Sequence, residues 1–257
     1  MDGGDEAVAA GGKLRILCIH GFRTSGSFLK KQINKWDPSI ISHFHMDFPD
    51  GIFPAGGKSE IEGIYPPPYF EWFQYNKEFT EYQNLQECVD YLCEYITSNG
   101  PFDGLLGFSQ GAILSALLLG YQAQGKVLKD HPPMKLFISM SGTKFRDPSI
   151  CDVAYKDPIK VKSVHFIGEK DRLKIPSEDL ATAFENPLII RHSRGHQLPK
   201  LDEDAVKKLR EWTEEIVRSQ QSKNAVSVPV EQKNAANGDQ TKNTENGVCA
   251  NKIEAEA

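Results

Sequence analysis

The stretch Asp103-Gly104-Leu105-Leu106-Gly107-Phe108-Ser109-Gln110-Gly111-Ala112 decides the reading of this chain. A short apolar run enters Gly-x-Ser-x-Gly and leaves it through Ala112-Ile113-Leu114-Ser115-Ala116-Leu117-Leu118-Leu119, which has the composition of a buried helix. A serine held between strand and helix in this way sits on a tight turn that lifts its hydroxyl clear of the sheet. Glycines on either side leave room for crossing backbone, and the helix start offers unpaired N–H groups to a developing anion. The pattern alone arises by chance in about one chain of this length in ten. The strand before it and the helix after it give it weight, and they make Ser109 the candidate nucleophile.

Working outward, Leu14 to Ile19 reads as a buried strand left through the turn His20-Gly21-Phe22. Residues 27–36 fit a helix and 44–48 a second strand. Residues 79–96 predict a helix striped by Leu85, Val89, Leu92 and Ile96. Beyond the serine, strands are expected at 136–140, 164–168 and 188–190. A helix opens at Pro176 and runs through Phe184, and Ala205, Leu209, Trp212 and Ile216 stripe the last one. Strands that are continuously apolar and alternate with helices predict an α/β fold, its mainly parallel sheet covered on both faces. In such sheets ligands sit at the carboxyl ends of the strands.

The 257 residues do not all belong to this unit. Residues 1–12 are Ala, Gly and acid, and from residue 219 the chain turns to Gln, Asn, Lys, Thr, Glu and Ala. Such segments bury too little apolar surface to offset ordering entropy, so both ends are expected to be disordered, flanking one domain over 13–218. A net charge of −5 gives no electrostatic reason to expect nucleic acid or an anionic membrane as partner. No apolar run has membrane-spanning length, and the acidic start is unlike a targeting peptide. The expected location is the cytoplasm, with the nucleus also open to a chain this small. Cys18, Cys88 and Cys93 fall in apolar patterns typical of reduced, buried thiols, and no metal-type spacing accompanies Cys88 and Cys93.

A serine hydroxyl needs a base, and the base an orienting acid. With the order Ser, acid, His on loops at the strand ends, the acid is Asp171, a few residues past the strand that ends at Gly168. Glu169 is the neighbouring rival, closer to the strand and more suited to solvent. Of seven histidines only His192 and His196 follow Asp171. His196, behind Gly195, has the freer loop and is favoured; His192 abuts the strand and reads as a packing residue. Oxyanion donors are expected from the N–H groups of Gln110 and Phe22. The Gly- and Pro-rich region 52–73 crowds aromatic residues together, and Tyr69, Trp72 and Phe73 are candidates for an acyl-binding wall.

Four motifs in this order resemble the FSH family of serine hydrolases: Leu17-Cys18-Ile19-His20-Gly21-Phe22, the run from Pro101 through the Ser109 turn, Ile167-Gly168-Glu169-Lys170-Asp171, and His192-Ser193-Arg194-Gly195-His196-Gln197-Leu198-Pro199. The resemblance spans about residues 13–215. It implies an α/β-hydrolase without a separate cap domain, in which a Ser109–Asp171–His196 triad cleaves a small-molecule carboxylic ester and no metal or cofactor takes part. A thioester would use the same parts, and a non-catalytic ligand-binding relative is the competing class. Arg194 is a departure, standing where the family usually has a second glycine; it either stiffens the loop or places a cation at its mouth.

Overall fold

The alternating side chains of the central strands point into two separate cores, and that division builds the fold. The computed structural model describes residues 12–226. In β1 (Leu14–Ile19), Leu17 and Ile19 enter one core while Ile16 and Cys18 enter the other. Then come α1 (Gly26–Ile33), α2 (Pro38–Ile41) and β2 (Phe44–Asp47). Four two-residue strands follow, β3 (Phe53–Pro54), β4 (Phe70–Glu71), β5 (Gln74–Tyr75) and β6 (Tyr82–Gln83), before α3 (Leu85–Asn99). The rest alternates: β7 (Gly104–Phe108), α4 (Gln110–Ala123), β8 (Leu136–Met140), α5 (Pro148–Ala154), β9 (Lys162–Gly168), α6 (Lys174–Ala181), β10 (Leu188–His192) and α7 (Glu203–Val226).

The six long strands form one parallel sheet in the order β10-β9-β8-β7-β1-β2. One face packs Leu105 and Phe137 against Val89, Leu92 and Ile96 of α3 and Leu114, Leu117 and Leu118 of α4. The other packs Leu106, Ile138 and Val164 against Leu29 and Ile33 of α1 and Leu209, Trp212 and Ile216 of α7. Every residue of β7 and β8 is buried, as expected of strands covered on both sides. From β1 the chain steps outward to β2 and then returns to the other side of β1 as β7. The carboxyl ends of β1 and β7 therefore flank the point where strand order reverses, the place where open α/β sheets bind ligands.

Several boundaries differ from the sequence expectation. The helix predicted over 79–96 begins only at Leu85. Residues 74–83 are instead the β5–β6 hairpin, closed by Asn76 Oδ1 accepting from the N–H groups of Thr80 and Glu81, with Phe79 stacked on Tyr75. Helix α6 starts two residues before Pro176, which fits because the first-turn N–H groups of a helix lack acceptors anyway. Helix α7 continues to Val226, through residues 219–226, where the sequence composition predicts a disordered tail. Gln, Ser, Lys and Ala there are adequate helix formers, and extending an existing helix costs far less than starting one. The remaining terminal residues, 1–11 and 227–257, lie outside the described residues. Among the described residues no helix is long and apolar enough to cross a membrane.

Two buried histidines give the fold a pH response. His165 of β9 lies edge-on to Phe137 and Phe184, and burial pushes its imidazole down to about 3. His20 is pushed down to about 4 by burial, opposed in part by its bond to the Gly21 carbonyl. Both stay neutral in the fold while the unfolded chain takes up protons near pH 6.5, so the unfolded state binds more protons. Their stabilisation is complete above about pH 6.5 and is lost as pH falls toward 4, by up to about 1.4 kcal/mol per pH unit for each. The melting temperature at pH 5 should lie about 10 °C below that at pH 7.5. A flat profile between those values would mean that protons reach both rings in the folded protein.

Candidate active site

Ser109 stands between β7 and α4 with φ 51° and ψ −115°, a conformation that costs a non-glycine residue about 1–3 kcal/mol. Its surroundings hold it there: its N–H donates to the Met140 carbonyl at 2.9 Å, and its carbonyl accepts from Ala112 and Ile113 at 2.9 and 3.0 Å. A Cβ on Gly107 would lie 2.5 Å from Ala112 Cα, and one on Gly111 would run into the Ile19 carbonyl. The two glycines of the motif are thus the residues over which strand, helix and the exit of β1 close together.

His196 bridges serine and acid. Its Nε2 lies 2.9 Å from Ser109 Oγ, and its Nδ1 lies 3.0 and 3.1 Å from the two Asp171 carboxylate oxygens. The ring also packs on Phe108, centroids 5.3 Å apart. Asp171 is buried in the loop between β9 and α6. It is held by Ser141 Oγ donating to Oδ2 at 2.6 Å and Leu173 N–H donating to Oδ1 at 2.8 Å. Burial opposes ionisation of this carboxyl, but the bonds from Ser141 and Leu173 and the adjacent His196 outweigh it, holding the group below the usual carboxylate range. The loops after β9 and β10 are tied together by Glu169 N–H to His192 O and Lys170 N–H to Arg194 O.

The rivals sit elsewhere. Glu169 is exposed and pairs with Lys174 and Arg191. His192 is half-buried at the end of β10, and neither ring nitrogen has a hydrogen-bond partner among the described residues. His20 accepts from Gly51 N–H at Nε2 (2.9 Å) and lies 2.8 Å from the Gly21 carbonyl at Nδ1, which fixes it as a structural post beneath the turn. Phe22 occupies that turn, closed by Thr24 N–H to the Gly21 carbonyl. Gln110 is the first residue of α4, so its N–H has no intrahelical acceptor.

The aromatic wall expected from Tyr69, Trp72 and Phe73 does not face the serine. Trp72 and Phe73 are fully buried in the core. The Gln110 side chain clamps them there, its Oε1 accepting from Trp72 N–H at 3.1 Å and its Nε2 donating to the Phe73 carbonyl at 2.7 Å. Trp72 Nε1 donates in turn to the His20 carbonyl at 2.9 Å. The Tyr69 hydroxyl turns back to the Tyr65 carbonyl. What reaches Ser109 and His196 is a cleft of about 1120 Å³ whose apolar side chains include Phe22, Phe28, Trp36, Phe108 and Leu198. Phe28 and Trp36 belong to and follow α1, and Leu198 follows the His196 loop; being the first segments after strand ends was the one sequence signal they carried. Ser141 gave none beyond its place after β8.

The sequence matches the serine hydrolase (FSH1) family over residues 10–208. The chain belongs to that family. Human "Esterase OVCA2" is 32% identical over 215 residues, covering 75% of this chain and 92% of that one. Schizosaccharomyces pombe "Dihydrofolate reductase" is 27% identical over 205 residues, 73% of this chain, and this chain spans only 44% of its length. Among solved structures, Zea mays acyl-protein thioesterase 2 superposes with a TM-score of 0.57 at 18% identity, covering 80% of this chain and 94% of that one. At that identity the likeness is one of fold, the α/β-hydrolase fold of esterases and thioesterases. The domain is that of a serine hydrolase.

Proposed function

We propose that the protein is a carboxylic ester hydrolase with Ser109 as nucleophile, His196 as general base and acid, and Asp171 as the orienting acid. The observation that carries this reading is the unbroken line of hydrogen bonds from Ser109 Oγ through His196 to Asp171, at 2.9 and 3.0 Å. An ionised Asp171 accepts only from a protonated Nδ1, which leaves Nε2 free to take the serine proton. Ser109 Oγ then bonds to the ester carbonyl carbon, and the N–H groups of Gln110 and Phe22 receive the resulting oxyanion. As the carbon–alkoxy bond breaks, His196 returns the proton to the departing alcohol. Water next adds to the acyl carbon, giving its proton to His196, and the ester bond to Ser109 breaks with that proton restored to Oγ. The products are a carboxylic acid and an alcohol, and no redox partner is required.

Labelling by a fluorophosphonate probe, which reacts only with an activated serine, tests the reading and separates it from non-catalytic ligand binding. Labelling of the wild type at Ser109, with turnover of simple esters, is the expected result. Paired oxyester and thioester substrates of equal acyl length then tell which bond is preferred.

Ser141 acts through Asp171 as a positioning residue. Ser141→Ala removes one of the two donors, other than His196, that hold the carboxylate, and a charge-assisted bond of this kind corresponds to about tenfold or more in kcat/KM. Losing the donor leaves the Asp171 carboxylate more basic and more strongly attracting toward a proton on His196. His196 must be unprotonated to act as base, so the acid limb of the pH–rate profile should move to higher pH. A loss of stability with an unshifted acid limb would make Ser141 merely structural.

A further inference from the structure

The cleft over Ser109 is basic in a chain that is acidic as a whole. Arg23, Lys35, Lys58, Arg172, Arg194 and Lys200 line it, against the carboxylates of Asp37 and Glu60, although the chain carries a net charge of −5. Two of these cations are already matched, Arg23 by buried Glu71 at 2.6 Å and Arg172 by Glu60 at 3.6 Å. No ion pair among the described residues involves Lys35, Lys58, Arg194 or Lys200. Lys35 and Arg194 meet only neutral oxygens, Gln32 Oε1 at 2.8 Å and Gln197 Oε1 at 3.4 Å.

Three of the unmatched cations are gathered along one wall. Arg194 stands two residues before His196, and Lys200 follows the same loop. Trp36 Nε1 donates to the Pro199 carbonyl at 3.3 Å, pinning that loop beside the end of α1, where Lys35 sits. Like charges lining one concave surface raise its potential and draw an anion toward the serine. The aromatic side chains of Phe22, Phe28 and Trp36 in the same cleft suit the uncharged part of a ligand.

Building on the esterase reading of Ser109, we propose that the ester cleaved here carries an anionic group, a carboxylate or phosphate, bound by Arg194 with Lys35 and Lys200. Arg194 is the specificity-determining residue, because its planar fork can engage two oxygens of such a group at once. The anion belongs either to the acyl chain or to the alcohol, and the same cations serve both.

Two matched substrate pairs test this. On the acyl side, 4-nitrophenyl hydrogen adipate is compared with 4-nitrophenyl hexanoate; on the alcohol side, 4-carboxyphenyl butyrate with 4-carbamoylphenyl butyrate. In at least one pair the anionic member should be favoured in kcat/KM by about tenfold, after subtraction of the rate seen with Ser109→Ala. The preference should shrink as ionic strength rises. Arg194→Gln should lower the anionic-to-neutral ratio by about tenfold, with part of it kept in Arg194→Lys. Lys162→Gln, at an exposed ion pair with Glu215, should leave the ratio alone. Equal or faster turnover of the neutral member in both pairs, with Ser109-dependent hydrolysis intact, overturns the anionic substrate and leaves the esterase standing. Absence of both fluorophosphonate labelling and hydrolysis of all four esters removes the esterase and this inference together.

Discussion

Ser109→Ala should lower ester turnover by about 10⁴-fold or more while leaving the melting temperature nearly unchanged. The two halves of this expectation come from different parts of the structure. In the proposed chemistry Oγ is the atom that bonds to the acyl carbon, so no neighbouring group substitutes for it. Its removal leaves Gln110 and Phe22 with oxyanion donors but nothing to attack. Stability is another matter. The strained backbone at φ 51° is held by bonds from its own N–H and to its own carbonyl, and these remain in alanine. Alanine also bears the same Cβ as serine, so the steric cost of the turn is unchanged, and loss of one partly exposed hydroxyl creates no cavity of consequence. The measurement is kcat/KM on a chromogenic ester beside a thermal melt. Residual turnover within about tenfold of wild type would take Ser109 out of the nucleophile role.

How much of this was legible in the sequence depends on whether a residue's place follows from chain order or from packing. The β7–turn–α4 unit was legible because two glycines, a strand and a helix define it locally. The placement of Asp171 and His196 beside Ser109 was reachable because a parallel sheet sends the loops after its strands to one edge, which leaves few candidates. Trp72 and Phe73 show where that logic stops. An aromatic crowd in a loop reads equally well as a wall or an anchor. What turns these two inward is long-range: the clamp by Gln110, 38 and 37 residues away in the chain, and for Trp72 the bond to the His20 carbonyl. Ser141 was invisible for the same reason, since its contact with Asp171 spans 30 residues and depends on β8 and β9 being neighbours. A total of −5 says nothing of where charges lie: six cations line the cleft over Ser109 against the two carboxylates of Asp37 and Glu60. The end of α7 was missed because burial sets the stripe, whereas helix propagation sets the last turn.

In the proposed mechanism His196→Ala should cost as much activity as losing Ser109, because nucleophile and base act as one unit and their losses do not add. The argument is one of reach. A base must lie within hydrogen-bond distance of both the hydroxyl it deprotonates and the acid that orients it, and His196 does so at 2.9 and 3.0 Å. His192 lies four positions earlier in the same segment and is placed differently. It is the last residue of β10, with its ring against Gly168, where a Cβ would lie 3.1 Å from His192 Cε1, and with both nitrogens unpartnered among the described residues. Burial lowers its pKa, opposed by the field of Asp171. The ring thus packs between the loop that carries Asp171 and the one that carries His196. His192→Ala should therefore keep most of the catalytic rate, and any loss should follow a fall in melting temperature caused by the space left behind. Fluorophosphonate labelling rates separate the two roles, since labelling needs the base but tolerates a slightly loosened loop. Labelling that survives His196→Ala at near wild-type rate, yet vanishes in a folded His192→Ala protein, would exchange the two assignments.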